Sequence, residues 1–196
     1  MEYVMVIDLN QCIGCDSCTV SCKLEHATGT GIKWGRVEEE ELGTFPSVRK
    51  AFVPLLCMHC EKPECLKVCP TGATYRNRHG MVLIDYDRCM GCKYCVIACP
   101  YMARFFNERR APPEGVPWME ADQDRWGIVE KCDFCVDRIA EAKLPKCVES
   151  CPYDARKFGK LDDFDPETRK AILNHELVVL KEDDGYGPSV YYTKVK

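Results

Sequence analysis

Residues 89–100 read Cys89-Met90-Gly91-Cys92-Lys93-Tyr94-Cys95-Val96-Ile97-Ala98-Cys99-Pro100. This is a C-x2-C-x2-C-x3-C-P run, in which four thiolates are spaced to hold a cubane iron–sulfur cluster. Three further quartets surround it. Cys12, Cys15, Cys18 and Cys22 repeat the spacing, with Lys23 in place of the proline. Cys57, Cys60, Cys65 and Cys69 precede Pro70, and Cys132, Cys135, Cys147 and Cys151 precede Pro152. Together the quartets use all 16 cysteines of the 196-residue chain.

Two other chemistries compete for so many thiols. A disulfide scaffold suits small secreted domains, but the N-terminal residues show no secretory pattern and the thiols fall in close C-x2-C pairs. Structural zinc also uses C-x2-C pairs, yet zinc motifs rarely show the full four-cysteine run even once. The apolar fraction of 46% counts the cysteines, so inorganic clusters must supply much of the core, as structural metals do in other small domains.

The formal charge is −4. Four oxidised cubanes at about −2 each would bring the loaded protein to roughly −12, which favours partner surfaces rich in Lys and Arg. No basic patch with interleaved aromatics is present, which excludes nucleic acid as an expected partner. No apolar run is long enough for a direct membrane span.

Tyr3 to Asp8 is β-branched and reads as a strand leading into the first quartet. Gly14 and Gly91 sit at matching places inside the first and third quartets, where a loop must pass close to a cluster. Residues 18–25 read as a short helix that puts Cys18 and Cys22 on one face. The acidic run Glu38–Glu41 reads as a solvated loop or helix face, and Trp34, Phe45 and Phe52 as side chains packed over the clusters. Ala73–Tyr75 and Met81–Tyr86 read as a hairpin around Arg78-His79-Gly80. Pro112, Pro113 and Pro117 keep the second connector irregular, with Trp118 and Trp126 covering it. Trp126–Val129 reads as a strand and the loop 136–146 as a helix. In the tail, Asp165-Pro166 opens a helix, and Leu177–Leu180 and Val190–Thr193 read as strands. Lys93, Lys131 and His59, beside or between ligands, are candidates for tuning a cluster's potential. His26, His79 and His175 read as surface residues.

Quartet, hairpin, quartet over residues 57–99 resembles a two-cluster ferredoxin. In such ferredoxins the fourth cysteine of each run ligates the other run's cluster. The resemblance therefore implies one ligand set of Cys57, Cys60, Cys65 and Cys99, and another of Cys89, Cys92, Cys95 and Cys69. The first and last quartets are left to exchange likewise: Cys12, Cys15, Cys18 with Cys151, and Cys132, Cys135, Cys147 with Cys22. The expected fold class is α+β, with two ferredoxin-like halves. One half combines residues 1–30 and 127–160 from both chain ends, and the other is the continuous 53–105. Loop-rich connectors span 31–52 and 106–126, and residues 161–196 brace the fold with a helix and strands.

The order of the quartets, Met5-Val6-Ile7-Asp8, Cys69-Pro70-Thr71-Gly72-Ala73, Cys99-Pro100-Tyr101 and Lys131-Cys132-Asp133-Phe134-Cys135 resemble the four-cluster electron-transfer subunits of the dimethyl sulfoxide reductase family of molybdopterin oxidoreductases. The resemblance implies a non-catalytic subunit carrying four 4Fe-4S clusters. It would relay single electrons between a large molybdopterin (Mo or W) catalytic subunit and a membrane quinol-interacting subunit or soluble redox carrier. The implied order runs from the first-quartet cluster, facing the catalytic subunit, through the fourth, third and second. The expected location is cytoplasmic, or periplasmic if the chain is co-exported as a passenger on a signal-bearing partner. The alternatives are a free-standing polyferredoxin and a zinc-bound scaffold. No substrate chemistry is expected, because every thiol is committed to iron and no triad is visible.

Overall fold

The computed structural model describes residues 2–108, 125–174 and 176–195. Its central strand is β1 (Tyr3–Ile7), flanked by β8 (Arg156–Lys160) and β9 (Val190–Tyr192). β8 runs antiparallel to β1, in a register pairing Ile7 with Arg156, and β9 runs parallel to it. Alternate side chains of a strand face opposite ways, and β1 has apolar cover on both sides. Met5 and Ile7 enter the main core, whereas Val4 and Val6 pack with Phe164 and Ile172. Ile172 lies on α6 (Pro166–Leu173), whose first turn is capped by Asp165 accepting a 2.9 Å bond from the Thr168 N–H.

Three two-stranded ribbons complete the sheets: β2 (Arg36–Leu42) with β3 (Arg49–Leu55), β4 (Thr74–Arg76) with β5 (Val82–Ile84), and β6 (Phe105–Phe106) with β7 (Val129–Glu130). The β4–β5 turn is closed by Asn77, whose side-chain oxygen accepts from the N–H groups of His79 and Met81. Five short helices hold cysteines or follow them: α1 (Ser17–Glu25), α2 (Glu64–Lys67), α3 (Tyr94–Ala98), α4 (Val136–Ala140) and α5 (Lys146–Glu149). α1 packs on α5, and α2 on α3.

The two helix pairs sit in matching frameworks. β8 follows Cys151-Pro152 and returns antiparallel to the strand that enters the first quartet; β4 follows Cys69-Pro70 and returns antiparallel to the strand that enters the third. The tail then crosses from one framework to the other. The carbonyls of Tyr186 and Gly187 accept from Lys62 and Glu61, and Ser189 bonds Met58, before β9 joins β1. The hydroxyl of the fully buried Tyr192 donates to the Pro54 carbonyl at 2.8 Å.

Several expectations need correction. The acidic run is strand β2, not a loop or helix face, held by pairing with β3 and by ion pairs such as Glu39–Lys50 at 2.6 Å. Phe45, expected over a cluster, is 91% exposed near the tip of that hairpin. Only Val129 of the stretch 126–129 enters a strand, and residues 177–180 make a single bridge, Val178 to Tyr192, because β9 has already taken the edge of β1. Trp118, His175 and the prolines at 112, 113 and 117 lie outside the described residues.

Candidate metal centres

The glycines at the matching loop positions have φ of +71° at Gly14 and +70° at Gly91, and Asp16 and Lys93 then continue the left-handed turn at +56° and +65°. A side chain at either glycine would meet its neighbours at impossible range: Phe52 lies 2.3 Å from a Cβ built at Gly14, and the Gly127 carbonyl 2.0 Å from one at Gly91. The loops are thus wound tightly by backbone that only glycine adopts freely, and their thiols turn inward.

Three cavities result. Cys12, Cys15 and Cys18 line one together with Cys151. Cys57, Cys60 and Cys65 line one with Cys99. Cys89, Cys92 and Cys95 line one with Cys69. The remaining four thiols also gather: burial pushes Cys22 up, and the charges of Cys147 and Cys135 push it further. Cys132 is raised by burial and then by Cys22, Asp133 and Cys147.

This donor chemistry fits cubane clusters. The C-x2-C-x2-C-x3-C-P spacing among the lining thiols is that of the cubane-binding run. Donors point at the sulfurs, as an anionic cluster requires: the N–H groups of Thr74 and Lys146 reach Cys69 and Cys135 at 3.4 Å each. All 16 cysteines are free of disulfides. Burial pushes Cys60 up to about 12, Cys65 to about 11 and Cys135 to about 12, so these thiols give up their protons only to a metal. Cys15, bonded by Ser17 and exposed, is instead lowered.

The inner and outer thiols are distinct. The main core contains Cys57 and Cys132 and is packed by Cys22, Cys60, Cys99 and Cys147, all from the second and fourth quartets or their implied partners. Between them the His59 ring stacks on Phe134, with centroids 3.7 Å apart and planes 18° apart. His59 of the second quartet therefore abuts Phe134 of the fourth, whereas the order implied by the resemblance puts the third quartet next to the fourth. Loop spacing could not have revealed this contact, because it joins residues 75 positions apart.

His59 and Lys131 are both buried. The Nδ1 of His59 accepts the Val82 N–H at 3.1 Å, which places the proton on Nε2. Burial and the charge of Lys131 keep the ring neutral. Lys131 donates to the Cys132 carbonyl at 2.6 Å. Lys93 is exposed at the rim of the third-quartet cavity, its ammonium 3.8 Å from the Phe106 ring centre.

Three functional side chains escaped the sequence reading. His26, read as a surface residue, lies with Nε2 3.1 Å from the Cys135 sulfur and its ring against Trp34. Its place four residues beyond Cys22 is the signal that could have found it. Arg104 donates to Cys65 at 2.9 Å and Arg156 to Cys18 at 3.3 Å. Both end a repeated Cys-Pro-Tyr-x-Ala-Arg, at 99–104 and 151–156.

Family models described as a 4Fe-4S dicluster domain match residues 11–73, 48–115 and 110–161. Among curated proteins, the chain is 40% identical to a selenate reductase subunit of Mesobacillus selenatarsenatis, over 98% of this chain and 72% of that protein. It is 42% identical to a putative dimethyl sulfoxide reductase iron–sulfur subunit of Halobacterium salinarum, over 97% and 78%. It is 34% identical to the arsenate respiratory reductase iron–sulfur subunit of a Shewanella species, over 99% and 97%. With four cysteine quartets and dicluster domains along its length, the chain carries four 4Fe-4S clusters and belongs to the non-catalytic, iron–sulfur electron-transfer subunits of the dimethyl sulfoxide reductase family.

Proposed function

We propose that the four clusters form a single-file wire in the order first, fourth, second, third quartet. The ligand sets are Cys12, Cys15, Cys18, Cys151; then Cys132, Cys135, Cys147, Cys22; then Cys57, Cys60, Cys65, Cys99; then Cys89, Cys92, Cys95, Cys69. Residues 1–30 with 127–160 form one ferredoxin-like half and 53–105 the other, with 31–52 and 106–126 connecting them and 161–196 strapping both. The observation that carries this reading is that each of three cavities is lined by three thiols of one quartet and the fourth thiol of another.

Each end of the wire offers an apolar face. Ile13, Val20 and Leu24 are exposed around the first quartet, and Met90, Tyr94 and Ile97 around the third. A freely diffusing polyferredoxin has no need of two such faces, which favours the subunit reading. The first-quartet end docks a molybdopterin catalytic subunit, and the third-quartet end a membrane quinol subunit or soluble carrier. No helix among the described residues is long and apolar enough to cross a membrane, so membrane contact goes through a partner. The working compartment is the catalytic partner's: the cytoplasm, or the periplasm when that partner exports this chain as a passenger.

Anaerobic purification of the native protein tests the assembly: the reading requires a pterin-bearing chain to come with it, and a fully loaded lone chain would favour the polyferredoxin. Cys151→Ser tests the sets. It should alter the first-quartet cluster's resonance and leave the fourth-quartet cluster intact; the reverse result defeats the exchange of fourth cysteines.

A further inference from the structure

The two arginines that the sequence reading missed occupy a special place. Arg104 is 3% exposed; its Nη2 donates to Cys65 at 2.9 Å and its Nη1 to the Thr74 hydroxyl at 3.0 Å. Arg104 also lines both the cavity of Cys57, Cys60, Cys65 and Cys99 and that of Cys69, Cys89, Cys92 and Cys95. Arg156 is 4% exposed; it donates to Cys18 at 3.3 Å and lines the cavity of Cys12, Cys15, Cys18 and Cys151, and its charge also reaches Cys147 and Cys22. On the ligand sets proposed above, Cys65 and Cys95 belong to the two clusters of one half, and Cys18 and Cys147 to the two clusters of the other. Each half thus has one buried guanidinium bridging its pair of clusters.

We propose that Arg104 and Arg156 set the reduction potentials of the relay in pairs, each raising both clusters of its own half together.

The physical basis is charge. Reduction adds one electron, and no proton, to a centre already surrounded by four thiolates. A fixed cation at hydrogen-bond range stabilises the more negative form, and burial leaves it little screened by salt.

The placement argues for function over inheritance. Each half has two positions that lie five residues past a fourth cysteine: Thr74 and Arg104 in one, Arg156 and Ala27 in the other. Each half fills one of its two with arginine. By strand register, however, Arg156 opening β8 matches Thr74 opening β4, not Arg104. One charge per half is therefore reached from two non-matching positions. Because one charge serves both clusters of a half, it leaves the driving force within that half nearly unchanged and acts on the step between halves.

The test is redox-poised electron paramagnetic resonance on the anaerobic holoprotein with its catalytic partner, with iron content measured alongside. In Arg104→Gln, two of the four one-electron steps should fall by at least tenfold in the reduced-to-oxidised ratio at fixed potential, about 59 mV, and the other two should hold. Arg156→Gln should move the complementary two. Arg104→Lys and Arg156→Lys keep the charge and should keep the potentials closer to wild type. Full iron with no step moved, one step moved alone, or a lysine variant shifted as far as glutamine overturns the proposal. If glutamine costs iron, the lysine variants decide: retained iron and potentials support it, and lost iron marks the arginines as packing groups and overturns it. Failure of the wild-type protein to show four steps would instead defeat the relay reading itself.

Discussion

Gly14 and Gly91 look interchangeable in sequence, and the structure separates them. Both have φ near +70°, so alanine at either carries the left-handed penalty of about 1–2 kcal/mol. The clashes differ. At Gly14 the three atoms nearest the new Cβ all belong to the Phe52 side chain, which is half-buried and is a side chain rather than backbone. At Gly91 it meets the Gly127 backbone carbonyl at 2.0 Å, with Phe106 at 3.1 Å behind it. That carbonyl lies two residues before β7 and cannot move without dragging the strand that enters the fourth quartet. Overpacking adds about 1–3 kcal/mol where neighbours cannot yield. Gly91→Ala should therefore be the worse variant by about 1–3 kcal/mol. At about 2–4 °C per kcal/mol for a chain this size, the two midpoints should separate by about 2–12 °C. The assay is anaerobic thermal bleaching of the visible absorbance at one fixed scan rate, since cluster loss is irreversible. Adding Phe52→Leu should recover Gly14→Ala, and no single side-chain trim should recover Gly91→Ala. Equal midpoints, or a milder Gly91→Ala, would refute the reasoning.

Phe134→Ala removes a 1%-exposed ring stacked on His59 and edge-on to Phe158; the expected loss is about 3–5 kcal/mol, read as a large fall in the same bleaching midpoint. Timed exposure to air followed by mass mapping of cysteines should show Cys15 oxidised before Cys132, because Cys15 is exposed to oxidant and Cys132 is buried. Cys92→Ala should delete the third-quartet cluster and spare the magnetic coupling between the second- and fourth-quartet clusters; loss of that coupling would restore the order read from sequence.

What the sequence made legible was covalent spacing. The quartets, the hairpin between the second and third, and the Asp165 cap all depend on residues close in the chain or on a repeated local pattern. Properties set by distant packing were hidden. Lys131 carries a charge that suggests a surface, yet it is buried because the Cys132 carbonyl receives it. Glu38–Glu41 has poor strand propensity and is a strand because β3 pairs with it. His59 stacks on Phe134, and two side chains in contact leave no periodic trace. Arg104 and Arg156 did leave one, in the repeated Cys-Pro-Tyr-x-Ala-Arg, but attention fixed on cysteines passes over the residue five places on.

The strand β1 has a consequence for biogenesis. It is synthesised before both of its neighbours, residues 156–160 and 190–192. The middle segment, with β4 against β5 and α2 against α3, needs nothing synthesised after about residue 107 for those contacts. Those middle contacts can therefore close while translation continues, and the N-terminal strand waits as an open clasp until its later neighbours arrive.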